Sequence, residues 1–160
     1  MPQAVYLTKA RAQQAISLAE PTINKLFDTV TNHKSLHLVV LANDGTILYE
    51  TDLGPDAGKD PERTARTTLV SHGKAALHFR TGKPSLEVQA RRPHILEVGD
   101  TIWGGSADYE GIIVAASGVQ SCFDEAICAI VAAILWGLCS DAQTQHMAKT
   151  DKTPLYKSPL

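Results

Sequence analysis

Apolar residues between positions 16 and 30 recur at steps of three and four, the spacing that lines one face of a helix. They are Ile16, Ala19, Ile23, Leu26, Phe27 and Val30. Thr8 is placed to cap this helix, because its hydroxyl can accept a hydrogen bond from the first turn. Pro21 lies inside the pattern and lacks a backbone donor, so we expect the helix to be kinked or split near Glu20.

The segment 36–52, LHLVVLANDGTILYETD, contains two β-rich runs separated by Asn43, Asp44 and Gly45. These three residue types tolerate positive φ and therefore make a tight turn. The pattern predicts a β-hairpin.

A second helix is predicted after the segment 54–62, GPDAGKDPE, whose glycine, proline and aspartate content is typical of a loop. Asp60 and Pro61 are placed to cap and start the helix. Gly82, which precedes Pro84, is placed to end it. The helix runs through Ala65, Leu69, His72, Ala76 and Phe79.

The C-terminal half is predicted to begin with strand or extended chain over residues 85–105, broken at Pro93 and Gly99. The stretch IWGGSADYEGIIVAASG, residues 102–118, predicts a pair of strands around SADYEG. Ser121 or Asp124 then begins a final helix.

The order helix, hairpin, helix, strands, helix predicts an α+β fold, because the strictly alternating crossovers of a parallel sheet are missing. The domain is expected to cover residues 1–142. Residues 143–160 are polar and contain prolines, so they are expected to form a tail that is loose or packed on a neighbouring subunit.

Composition narrows the class of protein. A chain of 160 residues with 44% hydrophobic and 20% charged residues is sufficient for one domain with its own core. A net charge of -2 provides no field that would attract nucleic acid or an anionic membrane. The three cysteines form neither a CxxC pair nor an even set, and the first residues lack a secretion-signal pattern, so we expect a cytoplasmic protein.

The final helix carries apolar residues nearly all round between Ala126 and Leu138, including Trp136. The apolar run 126–139 is shorter than a bilayer span, so we expect a buried helix and no membrane partner. Its apolar surface exceeds what one small sheet covers, which predicts a homo-oligomer, at least a dimer.

The span from Leu7 to Ala142 resembles the GlcG/HbpS-like family, which also occurs as the C-terminal domain of PduO-type proteins and is often labelled haem-degrading. The resemblance rests on the order and spacing of four pieces. These are the first helix, the segment VVLANDGTILYET, Lys74-Ala75 with the later GKPS at 82–85, and the glycine pair followed by Gly111, VAASG and Asp124. The resemblance implies a profilin-like fold, a central antiparallel sheet flanked by helices, in a homo-oligomer.

The sequence departs from the family pattern at two places. Ser106, Ala107 and Asp108 follow the glycine pair, where the family usually has an apolar residue and proline. Leu77 and His78 stand where the family commonly has Thr-Ala. The Glu-x-x-Glu iron motif of some haem-binding members has no counterpart, which weakens the carry-over of iron binding from the family.

The resemblance implies a ligand pocket near the glycine turn, with haem as the cofactor. Trp103, Gly104 and Gly105 would provide an open wall, and Lys74 would pair with a propionate. His78, at a position that departs from the family pattern, would be the axial metal ligand in place of another iron ligand. From the residues alone, the glycines equally fit close backbone packing, Lys74 a solvated surface charge, and His78 a structural histidine.

The histidines show no metal-binding spacing along the chain. His72 and His78 are six residues apart and fall on different faces of a helix, which argues against a shared metal site. The others are His33, His37, His94 and His146, and their spacings with each other are not of metal type.

Three functions remain open at this point. The first is haem or related tetrapyrrole binding, with a part in oxidative haem breakdown, as the resemblance implies. The second is a non-catalytic small-ligand sensor or oligomeric scaffold, since a fold does not fix a function. The third is a cofactor-independent enzyme acting on a small organic substrate.

Overall fold

A four-stranded antiparallel sheet carries helices on both faces, which confirms the predicted α+β fold. The computed structural model describes residues 3–149. The helices are α1 (Lys9–Thr29), α2 (Pro61–Thr81), α3 (Ser85–Arg91) and α4 (Ser121–Lys149), with a 3₁₀ turn at Pro93–Ile95. The strands are β1 (Leu36–Leu41), β2 (Ile47–Leu53), β3 (Ser106–Tyr109) and β4 (Ile112–Ser117).

The strands lie in the order β2-β1-β4-β3, so the two hairpins meet through β1 and β4 at the centre of the sheet. Val39 lies opposite Ala115, and Val40 lies opposite Val114. Because side chains alternate along a strand, Val39 and Val40 face opposite sides of the sheet. Both central strands are therefore buried on both faces.

The larger part of the core fills the face that α1 and α4 cover. Leu38 and Val40 of β1 and Val114 of β4 pack there against Phe27 of α1 and Val131 of α4. The opposite face is covered by α2, where Ala75 packs with a second apolar cluster. This cluster is smaller because polar side chains occupy much of the α2 face.

Both hairpin turns use residues with positive φ. Gly45 has φ +85° and ends the predicted Asn-Asp-Gly turn, where the Ala42 amide donates to the Thr46 carbonyl oxygen at 2.8 Å. Glu110 and Gly111, at φ +48° and +85°, make the second turn. Two successive positive φ angles match the twist of a two-residue hairpin.

The predicted helix ends are confirmed. Thr8 accepts from the Arg11 amide, and Asp60 accepts from the Arg63 amide with Pro61 next to it. Gly82 closes α2 in the left-handed conformation. The expected split at Pro21 does not occur, because α1 is assigned as one uninterrupted helix.

The prediction of extended chain over 85–105 is wrong for its first part, which forms α3 and the 3₁₀ turn. The run SLEVQAR contains residues of good helix propensity, and it is anchored by Val88, which is fully buried. α3 is too short for its apolar spacing to stand out from that of a strand.

α4 extends to Lys149, seven residues beyond the boundary predicted at 142. Its last turns contact the N-terminal segment, where the Tyr6 hydroxyl lies 2.8 Å from His146 Nδ1. The remainder of the predicted tail, residues 150–160, lies outside the described residues.

By length and composition α4 could also cross a membrane, and 33% of its most apolar window is buried. Residues such as Ile127, Val131 and Leu135 pack in the core, as in the central helix of a soluble protein. Trp136 stays 41% exposed and contacts the ring of Tyr109 edge-on. The exposed residues Ala126, Ala129 and Trp136 thus form an apolar outer strip on α4, which the predicted oligomer would cover.

Candidate functional site

A cleft of about 370 Å³ opens between α2 and the segment that joins β4 to α4. Arg63, Arg66, Val70 and Lys74 line its α2 wall. Steps of three and four place these four residues on one face of the helix. Residues 117–121 line the opposite wall, and Trp103 lies at the rim.

The floor of the cleft contains a buried ion pair. Lys74 Nζ lies 3.2 Å from Asp124 Oδ2 and donates to the Ala116 carbonyl oxygen at 2.8 Å. Both side chains are 2% exposed. Burial raises the pKa of Asp124 to about 6, although the Lys74 ammonium acts in the opposite direction.

Gly105 allows this pair to form. A Cβ atom at this position would lie 2.7 Å from Asp124 Cβ, 2.8 Å from Lys74 Nζ and 2.9 Å from the Ala116 carbonyl oxygen. Its φ of +136° also disfavours a side chain. Gly104 has a separate role, because a Cβ there would lie 2.8 Å from Leu86 Cβ of α3. The glycine pair thus serves close packing next to the floor of the cleft.

The upper part of the cleft is electropositive. Arg63 donates to the carbonyl oxygens of Ser35 and Gly118 at 3.0 and 2.6 Å, which fixes its position. Arg66 is exposed and forms no hydrogen bond or ion pair within residues 3–149. The N-terminus of α4 at Ser121 adds the positive end of a helix dipole.

An aromatic surface accompanies this charge. Trp103 is 57% exposed at the rim of the cleft, and Val70 adds an apolar patch from α2. The exposed imidazole of His33 lines the other end, and its ring has no partner within residues 3–149. A flat molecule with a negative group would find complementary chemistry here.

His78 lies outside this cleft. Its ring is buried, with Nδ1 3.0 Å from Ser106 Oγ and Nε2 3.0 Å from Asp108 Oδ1. Burial lowers the pKa of His78, and the nearby Asp108 carboxylate opposes this effect. Ser106 Oγ also accepts from the Ser85 amide at 2.9 Å. His78 therefore connects α2 to β3 and to the start of α3.

The predicted site residues are thus placed in different surroundings. Lys74 and Trp103 line one cleft, Gly104 and Gly105 lie in the backbone next to its floor, and His78 belongs to a separate buried network. Iron ligation by His78 would require one of its two hydrogen bonds to break. It stays a prediction.

Sequence reasoning missed the two arginines of the cleft. Arg63 and Arg66 precede Val70 and Lys74 at helical spacing, and this stripe of cations was available as a signal. His33 precedes β1 and carried no comparable signal, because only the fold brings it to α2.

No protein-family model matches the sequence, and no curated protein gives a significant match. Among solved structures, HbpS is similar with 19% sequence identity and a TM-score of 0.61, over 84% of this chain and 94% of HbpS. The Klebsiella pneumoniae protein ORFY, described as a DUF336 protein, is similar with 16% identity and a TM-score of 0.59. That match covers 85% of this chain and 94% of ORFY. The resemblance to the GlcG/HbpS-like family is thereby confirmed at the level of the fold.

Proposed function

We propose that the chain binds a flat, partly apolar anionic small molecule in the cleft between α2 and the segment that joins β4 to α4, with haem as the first candidate. The observation that carries the proposal is that one cleft is lined both by an exposed aromatic ring, Trp103, and by a cation, Arg66, that has no partner among residues 3–149. The fold similarity to HbpS supports haem as the ligand to test first.

The residues of the cleft fit haem in part. Arg66 is available for a propionate, and Trp103 and Val70 would contact the flat apolar face. Lys74 forms the buried ion pair with Asp124, so it would contribute to the charge of the floor without contacting a propionate directly. His33 lines the cleft, so its ring is a second candidate iron ligand, in addition to His78, which was predicted from the sequence.

Bound haem would contribute the redox chemistry of its iron. Arg66 would pair with a carboxylate of the haem, and Trp103 and Val70 would contact its apolar face. A more specific version of this proposal is that the protein assists the oxidative breakdown of the bound haem. A reductant added to the haem complex in air should then cause progressive loss of the main absorption band, and a stable band would restrict the function to binding.

Haem titration followed by absorbance tests the binding proposal. We expect saturation at one haem per chain, and Arg66→Ala should weaken binding about fivefold, which corresponds to about 1 kcal/mol for an exposed charge pair. Arg92→Ala is the matched control, since this exposed arginine lies outside the cleft. Equal affinities for the two variants would contradict the proposed cleft.

Two histidine variants test the iron ligand. His33→Ala removes the ring that lines the cleft, and His78→Ala removes the residue predicted from the sequence. The variant that removes an axial ligand should change the position of the absorption band, whereas other variants should change affinity alone. Unchanged spectra in both would exclude histidine ligation by these two residues.

If haem gives the broad spectrum of free porphyrin, the proposal in its haem form fails. The cleft then remains a site for another flat anion, in line with a small-ligand sensor or a cofactor-independent enzyme. A scaffold without ligand would show no Arg66-dependent binding of any aromatic carboxylate.

A further inference from the structure

A cluster of metal-binding side chains lies between α2 and the β1–β2 hairpin, away from the cleft. His37 on β1, Glu50 on β2 and His72 on α2 each direct one ligand atom to a common point. His37 Nε2 lies 2.8 Å from Glu50 Oε2, and His72 Nε2 lies 2.5 Å from the same oxygen. The three ligand atoms lie within 4.8 Å of one another.

The sheet register builds this cluster from residues that are far apart in sequence. His37 lies opposite Asp52 across the β1–β2 pair, and Glu50 lies opposite Val39. Side chains at alternate positions share a face, so His37, Glu50 and Asp52 all point to the α2 side. One turn of α2 then adds His72 above them.

The donor types match a zinc site. Two imidazole nitrogens and one carboxylate oxygen form a set of three protein ligands that leaves a fourth position for water. In a purely hydrogen-bonded cluster, the Nε2 atoms of His37 and His72 would both have to donate to one oxygen of Glu50. The two lone pairs of that oxygen can accept both hydrogen bonds, so the convergence of the three side chains suits a hydrogen-bonded cluster as well as a bound cation, and metal titration distinguishes the two.

Asp52 provides a carboxylate for the second ring nitrogen of His37, as is usual for a histidine that binds a metal. Its Oδ1 lies 2.8 Å from His37 Nδ1. When an ion is bound, a proton held on Nδ1 by this carboxylate leaves the Nε2 lone pair for the ion, which is the tautomer that a metal needs. Asp52 is therefore a positioning residue for His37.

The cluster is anchored on one side and open on the other. The His37 side chain is 7% exposed, while those of Glu50 and His72 are 36% and 37% exposed. An ion can therefore enter from solvent and keep a water ligand. The two carboxylates of Glu50 and Asp52 balance a divalent charge.

We propose that His37, Glu50 and His72 bind a divalent transition-metal ion, with zinc as the ion and Asp52 orienting His37. None of the three ligands lines the cleft, so this site is independent of the proposed anion site. No spacing along the chain indicates this site, because the ligands come from three elements and the two histidines are 35 positions apart.

Calorimetric titration of the chelator-treated, tag-free full chain with zinc chloride tests the proposal. We expect saturation at one ion per chain. His72→Ala should weaken zinc binding by more than tenfold, and Asp52→Asn should weaken it by about 10- to 100-fold without changing the stoichiometry. His94→Ala is the control, because His94 is exposed and lies outside the cluster.

Cobalt chloride provides a second readout that does not depend on affinity alone. Cobalt bound by the cluster should give visible absorption bands of a four-coordinate site, and these should be lost in His72→Ala and kept in His94→Ala. Far-ultraviolet circular dichroism checks that His72→Ala, at a partly exposed position, remains folded. Zinc binding that is absent in the wild type, or equal in the His72 and His94 variants, would overturn the proposal and leave a hydrogen-bonded cluster.

Discussion

Replacement of Gly105 by alanine tests whether the buried Lys74–Asp124 pair requires a residue without a Cβ atom at position 105. Two costs are expected. The φ of +136° is unfavourable for alanine, which costs about 1–3 kcal/mol. The new methyl group would also lie 2.7 Å from Asp124 Cβ and 2.9 Å from the Ala116 carbonyl oxygen, and such overpacking costs about 1–3 kcal/mol more.

Gly99→Ala separates these two costs. Gly99 has a φ of +96°, and a Cβ there would meet no heavy atom within 4 Å, so it carries the backbone cost alone. Urea unfolding should show that Gly105→Ala loses about 2 kcal/mol more than Gly99→Ala. In thermal unfolding this difference corresponds to roughly 5 °C. Equal losses for the two variants would refute the close-packing role assigned to Gly105.

Three further predictions concern the buried groups and the outer strip of α4. Because burial raises the pKa of Asp124 to about 6, its stabilising contribution is complete below the unfolded value of 3.8 and is lost as pH rises through about 6. Between pH 4 and 7 the stability of the wild type relative to Asp124→Asn should therefore fall by about 2 kcal/mol in urea unfolding, and a flat difference would contradict this. Ser106→Ala should lower the free energy of unfolding by about 1–3 kcal/mol, since the Ser85 amide and His78 lose a buried partner, whereas the exposed Thr144→Ala should have little effect. Light scattering at micromolar protein should give at least a dimer mass that Trp136→Lys reduces, and a monomeric wild type would contradict the proposed oligomer.

Local chemistry explains why much of the fold could be predicted. The caps at Thr8 and Asp60 and the turn at Gly45 depend on residues next to each other in sequence, and these predictions are confirmed. The helix at 85–91 could not be separated from a strand, because one buried valine fixes it through tertiary contact.

The sites depend on contacts between distant residues. Lys74 and Asp124 are 50 positions apart, and they meet because the segment that joins β4 to α4 lies against α2. His37 and His72 meet through the register of the first hairpin. No spacing along the chain encodes either contact, so the ion pair of the floor and the cluster of His37, Glu50 and His72 were accessible only from the fold.

Amide chemical-shift mapping with a diamagnetic haem analogue, gallium protoporphyrin IX, tests the central claim most directly. One equivalent should shift the indole N–H of Trp103 and the amides of Val70 and residues 118–121, which surround the cleft. The indole N–H of Trp136 on α4 should remain unchanged. Shifts confined to the Trp136 strip, or no shifts at all, would contradict binding in the cleft.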